Sequence, residues 1–449
     1  MLSATGANKT TSGGYLHPFF RPDMGILSDK KIVSWALYDW ANSAYATTVM
    51  AGFFPIFFKE YWSAGADAAT STFRLGAANS AASLAVVLMA PALGAIADTG
   101  GARKRFLLFF AIVGIVSTAM LYFVGKGEWE AAAGVYVLGA VAFNCSCLFY
   151  DSLLIEVGPA DKFDAISALG FGLGYLGGGI LFSQNVLMVT KPEIFGVSGP
   201  TEAVRLSFLL VALWWAVFTV PLAMNVTEPG KIRIISRTRM VIGGIRQVVA
   251  TFRRIRRYRT VFTFLVAYWL YIDGVDTIIR MAVDYGMSIG FSSGTLILAL
   301  LIVQFVGFPA AILFGKIGEK IGTKKGIYIG IAVYLGVTVW AYSMNRESEF
   351  YAMAIAVGLV QGGVQSLSRS YFARIIPPEQ AGEFFGFYNL LGKFAAVIGP
   401  ILMGGTALLF GDPRFSILSV AILFIAGGTV LFFVDDSAEN GGNRPLMDE

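Results

Sequence analysis

Charge is what this sequence has least of. Lys, Arg, Asp and Glu make up 14% of its 449 residues, against 56% hydrophobic ones, where an average soluble protein carries about 25% charge. So few charges cannot cover the surface of a water-soluble chain of this length, which excludes a cytosolic enzyme. Histidine is nearly absent. The single His17 lies in the polar N-terminal segment, so histidine-dependent triads and His-ligated metal chemistry are out. The two cysteines, Cys145 and Cys147, stand together in an apolar run; they can neither frame a disulfide scaffold nor complete a zinc site. No Gly-x-x-x-x-Gly-Lys-Ser/Thr stretch occurs, which disfavours an ATP-driven pump. No cofactor, metal or nucleic-acid partner is expected.

Long apolar runs are what the sequence does have. About 20 apolar residues cross a bilayer core as a helix. Such stretches occur near 32–58, 73–97, 106–124, 131–155, 165–189, 204–224, 260–285, 292–314, 326–344, 350–371, 384–410 and 415–434. The expectation is an all-α polytopic membrane protein of twelve transmembrane helices. Residues 1–31 read as an N-terminal cytoplasmic segment, with no cleaved signal peptide. Residues 32–224 and 260–434 read as two six-helix bundles, 225–259 as a basic cytoplasmic linker, and 435–449 as a cytoplasmic tail. The net charge of +5 becomes a topology signal. With both termini inside, most Lys and Arg fall on the cytoplasmic side, as the positive-inside rule requires. The linker carries ten bases against one acid, Glu228, and suits a segment that touches anionic headgroups.

Two loops repeat each other. Gly94, Asp98, Gly101, Arg103 and Lys104 recur, each 221 residues later, as Gly315, Glu319, Gly322, Lys324 and Lys325. The offset persists: Phe163 meets Phe384, Leu169 meets Leu390, and Gly178 meets Gly399. Duplicated halves are a mark of transporters, so two six-helix pseudo-symmetric halves are expected. In each loop an acid ends an even-numbered helix and bases begin the next, an arrangement that can bridge the halves as a cytoplasmic gate. Asp151 and Arg369, near the inner ends of helices 4 and 10, join that gate as candidates. The glycines of helix 5 (Gly170, Gly172, Gly174, Gly177, Gly178, Gly179) suit close helix packing.

The first loop resembles the Gly-x-x-x-Asp-Arg-x-Gly-Arg-Arg/Lys signature of the major facilitator superfamily, with Thr99 in place of the first Arg. The run Trp35-Ala36-Leu37-Tyr38-Asp39-Trp40-Ala41-Asn42-Ser43-Ala44-Tyr45 is similar to the opening of the vacuole-effluxer-like branch. That branch contains the fungal autophagy-related vacuolar amino-acid exporter. Gln361-Gly362-Gly363-Val364-Gln365-Ser366-Leu367-Ser368-Arg369-Ser370, continuing through Pro377-Pro378-Glu379 to Phe384-Phe385-Gly386, resembles the same branch. The resemblance implies that helices 1, 4, 7 and 10 line a central cavity, and that amino acids or similar small metabolites are moved, in the export direction.

Charges inside membrane spans are costly and should face a cavity or a partner. Asp39, Asp151, Asp273, Asp276, Asp284, Arg280, Arg369 and Lys393 are such residues. Asp273, Asp276 and Arg280 step i, i+3, i+7 along one helix face; Asp273 lies near mid-membrane, where a carboxyl can take up and release a proton. Asp39, Asp273 and Asp276 are therefore the ion-coupling candidates. Gln361, Gln365 and Arg369 form a stripe on helix 10, whose amides need wet partners. Tyr38, Asn42, Tyr45, Asn144 and Tyr150 complete the expected cavity set. A zwitterion would find a cation in Arg280 or Lys393 and an anion in Asp39 or Asp273, although helix cross-linking requires the same residues. The reading is a monomeric, proton-coupled secondary transporter of the cell membrane working by alternating access. A sensor on the same fold, or a carrier of sugars, peptides or drugs, is the alternative.

Overall fold

Lipid offers no hydrogen bonds, so each apolar run must satisfy its own backbone, and these runs do so as helices. The computed structural model describes residues 24–228, 251–288, 290–410 and 413–435. After a short helical stretch at Met24–Ser28, the first long helix, α1, begins with Lys30–Ala44. Asp29 caps it, accepting the Lys31 amide at 2.8 Å. Over Tyr45–Phe53 α1 widens to i→i+5 bonding, the Phe54 amide reaching the Val49 carbonyl, and it continues to Trp62. There follow α2 (Ala68–Gly100), α3 (Arg103–Met120), α4 (Trp129–Ser152), α5 (Phe163–Thr190) and α6 (Pro200–Asn225). The second set is α7 (Arg259–Ser288), α8 (Ser293–Ile321), α9 (Thr323–Ser343), α10 (Glu347–Ile375) and α11 (Ala381–Phe410). It ends in α12, which is Pro413–Ser419 and, past Val420, Ala421–Phe432. Ten helices among the described residues are long and apolar enough to span a bilayer. The two further expected stretches are helical as well, as α1 and α11.

The two sets form two halves. In the first, α1 packs on α5 and α6, and α3 on α4 and α6; in the second, α7 packs on α11 and α12, and α10 on α8 and α9. The main contacts between halves are α5 on α8 and α2 on α11. Advancing each label by six turns one pair into the other, as duplicated halves require. These seams are close because they lack side chains. A Cβ at Gly94 would collide with the Gly382 carbonyl, and one at Gly315 would lie 2.6 Å from the Ala168 Cβ. Two repeated glycines turn the chain at the loops: Gly101 closes α2 at φ 55°, and Gly322 stands at φ 99° between α8 and α9. Residues 1–23 of the expected segment 1–31, residues 436–449 of the expected tail and most of the linker 225–259 lie outside the described residues. The side chains of Arg280, Asp284 and Lys393 lie outside them too.

Candidate functional site

Arg369 of α10 stands at the centre of the junction between halves, and residues of the first half surround it. Its Nη1 lies 3.1 Å from Asp151 of α4 and 3.6 Å from Asp39 of α1. Its Nε and Nη2 donate to the Ser167 hydroxyl at 2.8 Å and the Ser167 carbonyl at 2.9 Å on α5. The rings of Phe171, Trp35 and Tyr150 stand 4.3, 5.0 and 5.2 Å from the guanidinium carbon, within range of cation–π attraction. The two acids have other bonds: Asp39 accepts from the Tyr150 hydroxyl at 3.2 Å, and Asp151 from the Asn389 amide of α11 at 3.1 Å. Trp35 stacks on Tyr150 at 4.3 Å and donates to its carbonyl at 3.0 Å, so the helix 1 motif fixes the aromatic wall. Gly170 leaves room for the cluster, since a Cβ there would come within 2.6 Å of the Tyr150 hydroxyl and 3.1 Å of Arg369. Buried charges persist only when paired and hydrogen-bonded; these are both.

Two further layers join the halves between this cluster and the basic face of the molecule. Asp164 of α5 pairs with Arg374 of α10 at 3.0 Å and accepts from Thr323 of α9 at 2.9 Å and from Ser370. The outermost layer belongs to the first repeated loop. Asp98 accepts the Gly382 and Glu383 amides, both at 2.8 Å. It thereby supplies a carboxylate to the positive N-terminus of α11. Arg103 neutralises it at 2.8 Å and donates to the Pro378 carbonyl at 3.0 Å. Glu228, past α6, accepts the Arg103 and Lys104 amides at 2.9 and 3.0 Å, capping α3 in turn.

The second loop lies nearer the surface. Glu319 and Lys325 are exposed, and Lys324 donates to the Val434 carbonyl past α12 at 2.7 Å. On that side Asp164 makes a cross-half contact, through Arg374 and Thr323. Its place in the first turn of α5 points it at the Thr323 hydroxyl.

Above the cluster lies a cavity of about 330 Å³. Its polar wall is Asp39, Ser43 and Thr47 of α1, Tyr175 of α5, Gln304 of α8, and Gln361 and Gln365 of α10. Two links cross the halves here: Gln304 donates to Thr47 at 3.2 Å, and Tyr175 to Gln365 at 3.3 Å. The rest is apolar and extends through Leu296, Val337, Phe350 and Met353 toward the face opposite the basic loops. Helix α9 contributes Val337, Thr338 and Ala341 to this lobe. The wide-turn stretch of α1 supplies Ala46, Thr47 and Ala51 to the wall, in keeping with the frequency of such turns at functional sites.

The expected residues separate into three groups. Asp39, Gln361 and Gln365 line the cavity, while Tyr150, Asp151 and Arg369 form the cluster that Asp39 joins, outside the lining. Tyr38, Asn42 and Tyr45 are instead buried in the first half; Tyr45 packs on Phe143 and Trp215. Asn144 bonds back to the Ala140 carbonyl at 2.7 Å. Asp273 is fully buried and accepts the Gly399 amide of α11 at 3.1 Å, tying two helices of the second half. Neither Asp273 nor Asp276 is on the cavity wall. Ser43, Thr47, Asp164, Ser167, Tyr175 and Gln304 are the residues that sequence reasoning missed. For α1 the signal was available: Asp39, Ser43 and Thr47 step by four along one face.

A family model described as vacuole effluxer Atg22 like matches residues 28–155 and 156–441. The chain belongs to that family. It is 41% identical over 418 residues to an uncharacterized MFS-type transporter, YxiO, of Bacillus subtilis, covering 92% of this chain and 97% of the relative. It is 22% identical to autophagy-related protein 22 of Coccidioides immitis, over 91% of this chain and 87% of the relative. Among solved structures it is similar to the human organic anion transporter MFSD10 (TETRAN), with TM-score 0.72 and 14% identity over 90% of this chain and 99% of that one. It is also similar to the major facilitator transporter FucP in the outward conformation, with TM-score 0.67 and 12% identity over 90% and 99%. This Atg22-like chain is therefore an integral, multi-pass membrane transporter of the major facilitator type, and not an enzyme.

Proposed function

We propose that this Atg22-like carrier exports small amine-bearing metabolites, amino acids foremost, across the cell membrane by alternating access coupled to protons. The observation that carries the proposal is the position of Asp39, which faces the cavity on one side and Arg369 on the other. Its bond to Arg369, at 3.6 Å, is longer than the 3.1 Å bond to Asp151. A substrate ammonium or a proton arriving from the cavity competes with Arg369 for the Asp39 carboxylate. Either one weakens a contact that holds the two halves together. Three cross-half layers on the basic face, and a cavity extending the other way, fit a carrier closed toward the cytoplasm. The polar wall with an apolar lobe above it suits a solute with a charged head and an apolar body.

The test is counterflow in proteoliposomes with labelled leucine, tyrosine, glutamate and glucose as probes. Exchange of at least one neutral amino acid is expected, with loss of that exchange in Arg369→Gln. Exchange of glucose alone, or of none while a probe still binds, would overturn the substrate class or the carrier reading respectively.

A further inference from the structure

The described end of the linker, residues 251–259, sits directly before α7, whose apolar span begins at Arg259. Its inward side is small: Thr251 and Ile255 are fully buried. Its outward side carries Arg253, Arg254, Arg256, Arg257 and Arg259, all exposed. Phe252 is 40% exposed and packs edgewise on Phe262 at 5.9 Å and tilted against Phe387 at 6.1 Å. Among the described residues, only Arg254 of these five pairs with a carboxylate. That carboxylate is Glu383 at 2.7 Å, which also accepts the Thr251 hydroxyl at 2.6 Å. Glu383 belongs to the first turn of α11, whose amides Asp98 of the other half holds.

We infer that this turn is a docking site for anionic phospholipid headgroups, and that Arg254 connects its occupancy to the clamp on α11. Four guanidinium groups without a carboxylate partner among the described residues, and an exposed ring at the end of a membrane span, match a negatively charged headgroup and the acyl chains beneath it. The pair Arg254–Glu383 is the joint. Arg254 is 46% exposed along its side chain, whereas Glu383 is 5%, so Arg254 is the partner free to turn outward. A headgroup that draws Arg254 away loosens the linker from the first turn of α11, and the Asp98 clamp then holds that turn alone. Lipid binding here does not depend on the proposed substrate; its effect on the clamp rests on the gate reading above.

The test uses the full chain in nanodiscs of phosphatidylcholine with or without phosphatidylglycerol. Lipid retention is read by native mass spectrometry, and the Gly382 and Glu383 amides by hydrogen exchange. Replacing Arg253, Arg256, Arg257 and Arg259 with Gln is expected to weaken phosphatidylglycerol retention by about fivefold per arginine. The four-lysine counterpart should retain it, which separates charge loss from misfolding. Phosphatidylglycerol should speed exchange of the two amides in the parent protein, and R254Q should match that speed without it. Equal retention by the glutamine variant, or the same effect from inorganic phosphate, would overturn the lipid site. Unchanged amide exchange in both the parent and R254Q would overturn the link to α11, whatever transport does.

Discussion

Arg369 and Asp151 lie 218 residues apart in sequence and 3.1 Å apart in space, one in each half of the carrier. Their bond is the centre of a buried cluster, and its removal has a calculable cost. Arg369→Ala leaves Asp39 and Asp151 facing each other without a counter-charge, a loss of about 3–5 kcal/mol for a broken buried pair. A clear fall in the thermal unfolding midpoint of purified protein is expected. Arg369→Lys should fall between the two, because one ammonium cannot reach Ser167 and Asp151 in the same planar fork. Adding Asp151→Asn to Arg369→Gln should restore part of the midpoint, and strict additivity in that cycle would refute the pairing.

Asp98 acts on α11 through two backbone amides, so its charge and its two oxygens matter separately. Asp98→Asn keeps one acceptor and removes the charge at the helix N-terminus. The loss is about 1 kcal/mol, which moves the balance of states about fivefold toward opening at the basic face. Paired spin labels on the ends of α2 and α11 should report a larger population of long distances. An unchanged distribution would mean that the clamp does not set the state.

Glycine replacements at two positions should shift stability in opposite directions. A Cβ at Gly94 meets the Gly382 carbonyl across the α2–α11 seam, whereas one at Gly336 on α9 meets nothing within 4 Å. Gly94→Ala is expected to cost about 1–3 kcal/mol through overpacking, or to relieve the clash by parting the halves. Gly336→Ala should gain about 0.5–1 kcal/mol from helix propensity alone. Midpoint shifts of the same sign would count against the α2–α11 seam being this close.

The fold was legible because its determinants are numerous and cheap to read. Apolar length located each helix, and the 221-residue offset between Asp98 and Glu319 exposed the duplication. The site was less legible. The partner of Asp98 is a pair of backbone amides, which no side chain advertises. Asp164, Ser167 and Thr323 escaped notice because one acid near a helix start and small hydroxyls in an apolar run have many possible uses. Helical spacing grouped Asp273 with Asp276 but could not say which neighbour that face meets, and it meets α11. On α1 the expected cavity set joins Tyr38, Asn42 and Tyr45 to Asp39. Successive residues are about 100° apart on a helix, and that turn sends Tyr38 and Asn42 into the core while Asp39 faces the cavity.

The proposed coupling mechanism gives Asp39 and Asp273, both ion-coupling candidates by sequence, different roles. Asp39 touches the cavity and Arg369, so a proton on it changes the force between the halves. Asp273 holds the Gly399 amide inside one half, so a proton on it changes helix packing there. Asp39→Asn is expected to abolish accumulation driven by a pH gradient while keeping part of the gradient-free counterflow. Asp273→Asn should lower the thermal midpoint yet leave the surviving protein responsive to the gradient. Both measurements use the same liposomes, with internal and external pH set independently. If the Asp273 variant lost the gradient response and the Asp39 variant kept it, coupling would belong to the second half, and the cluster around Arg369 would be a structural lock only.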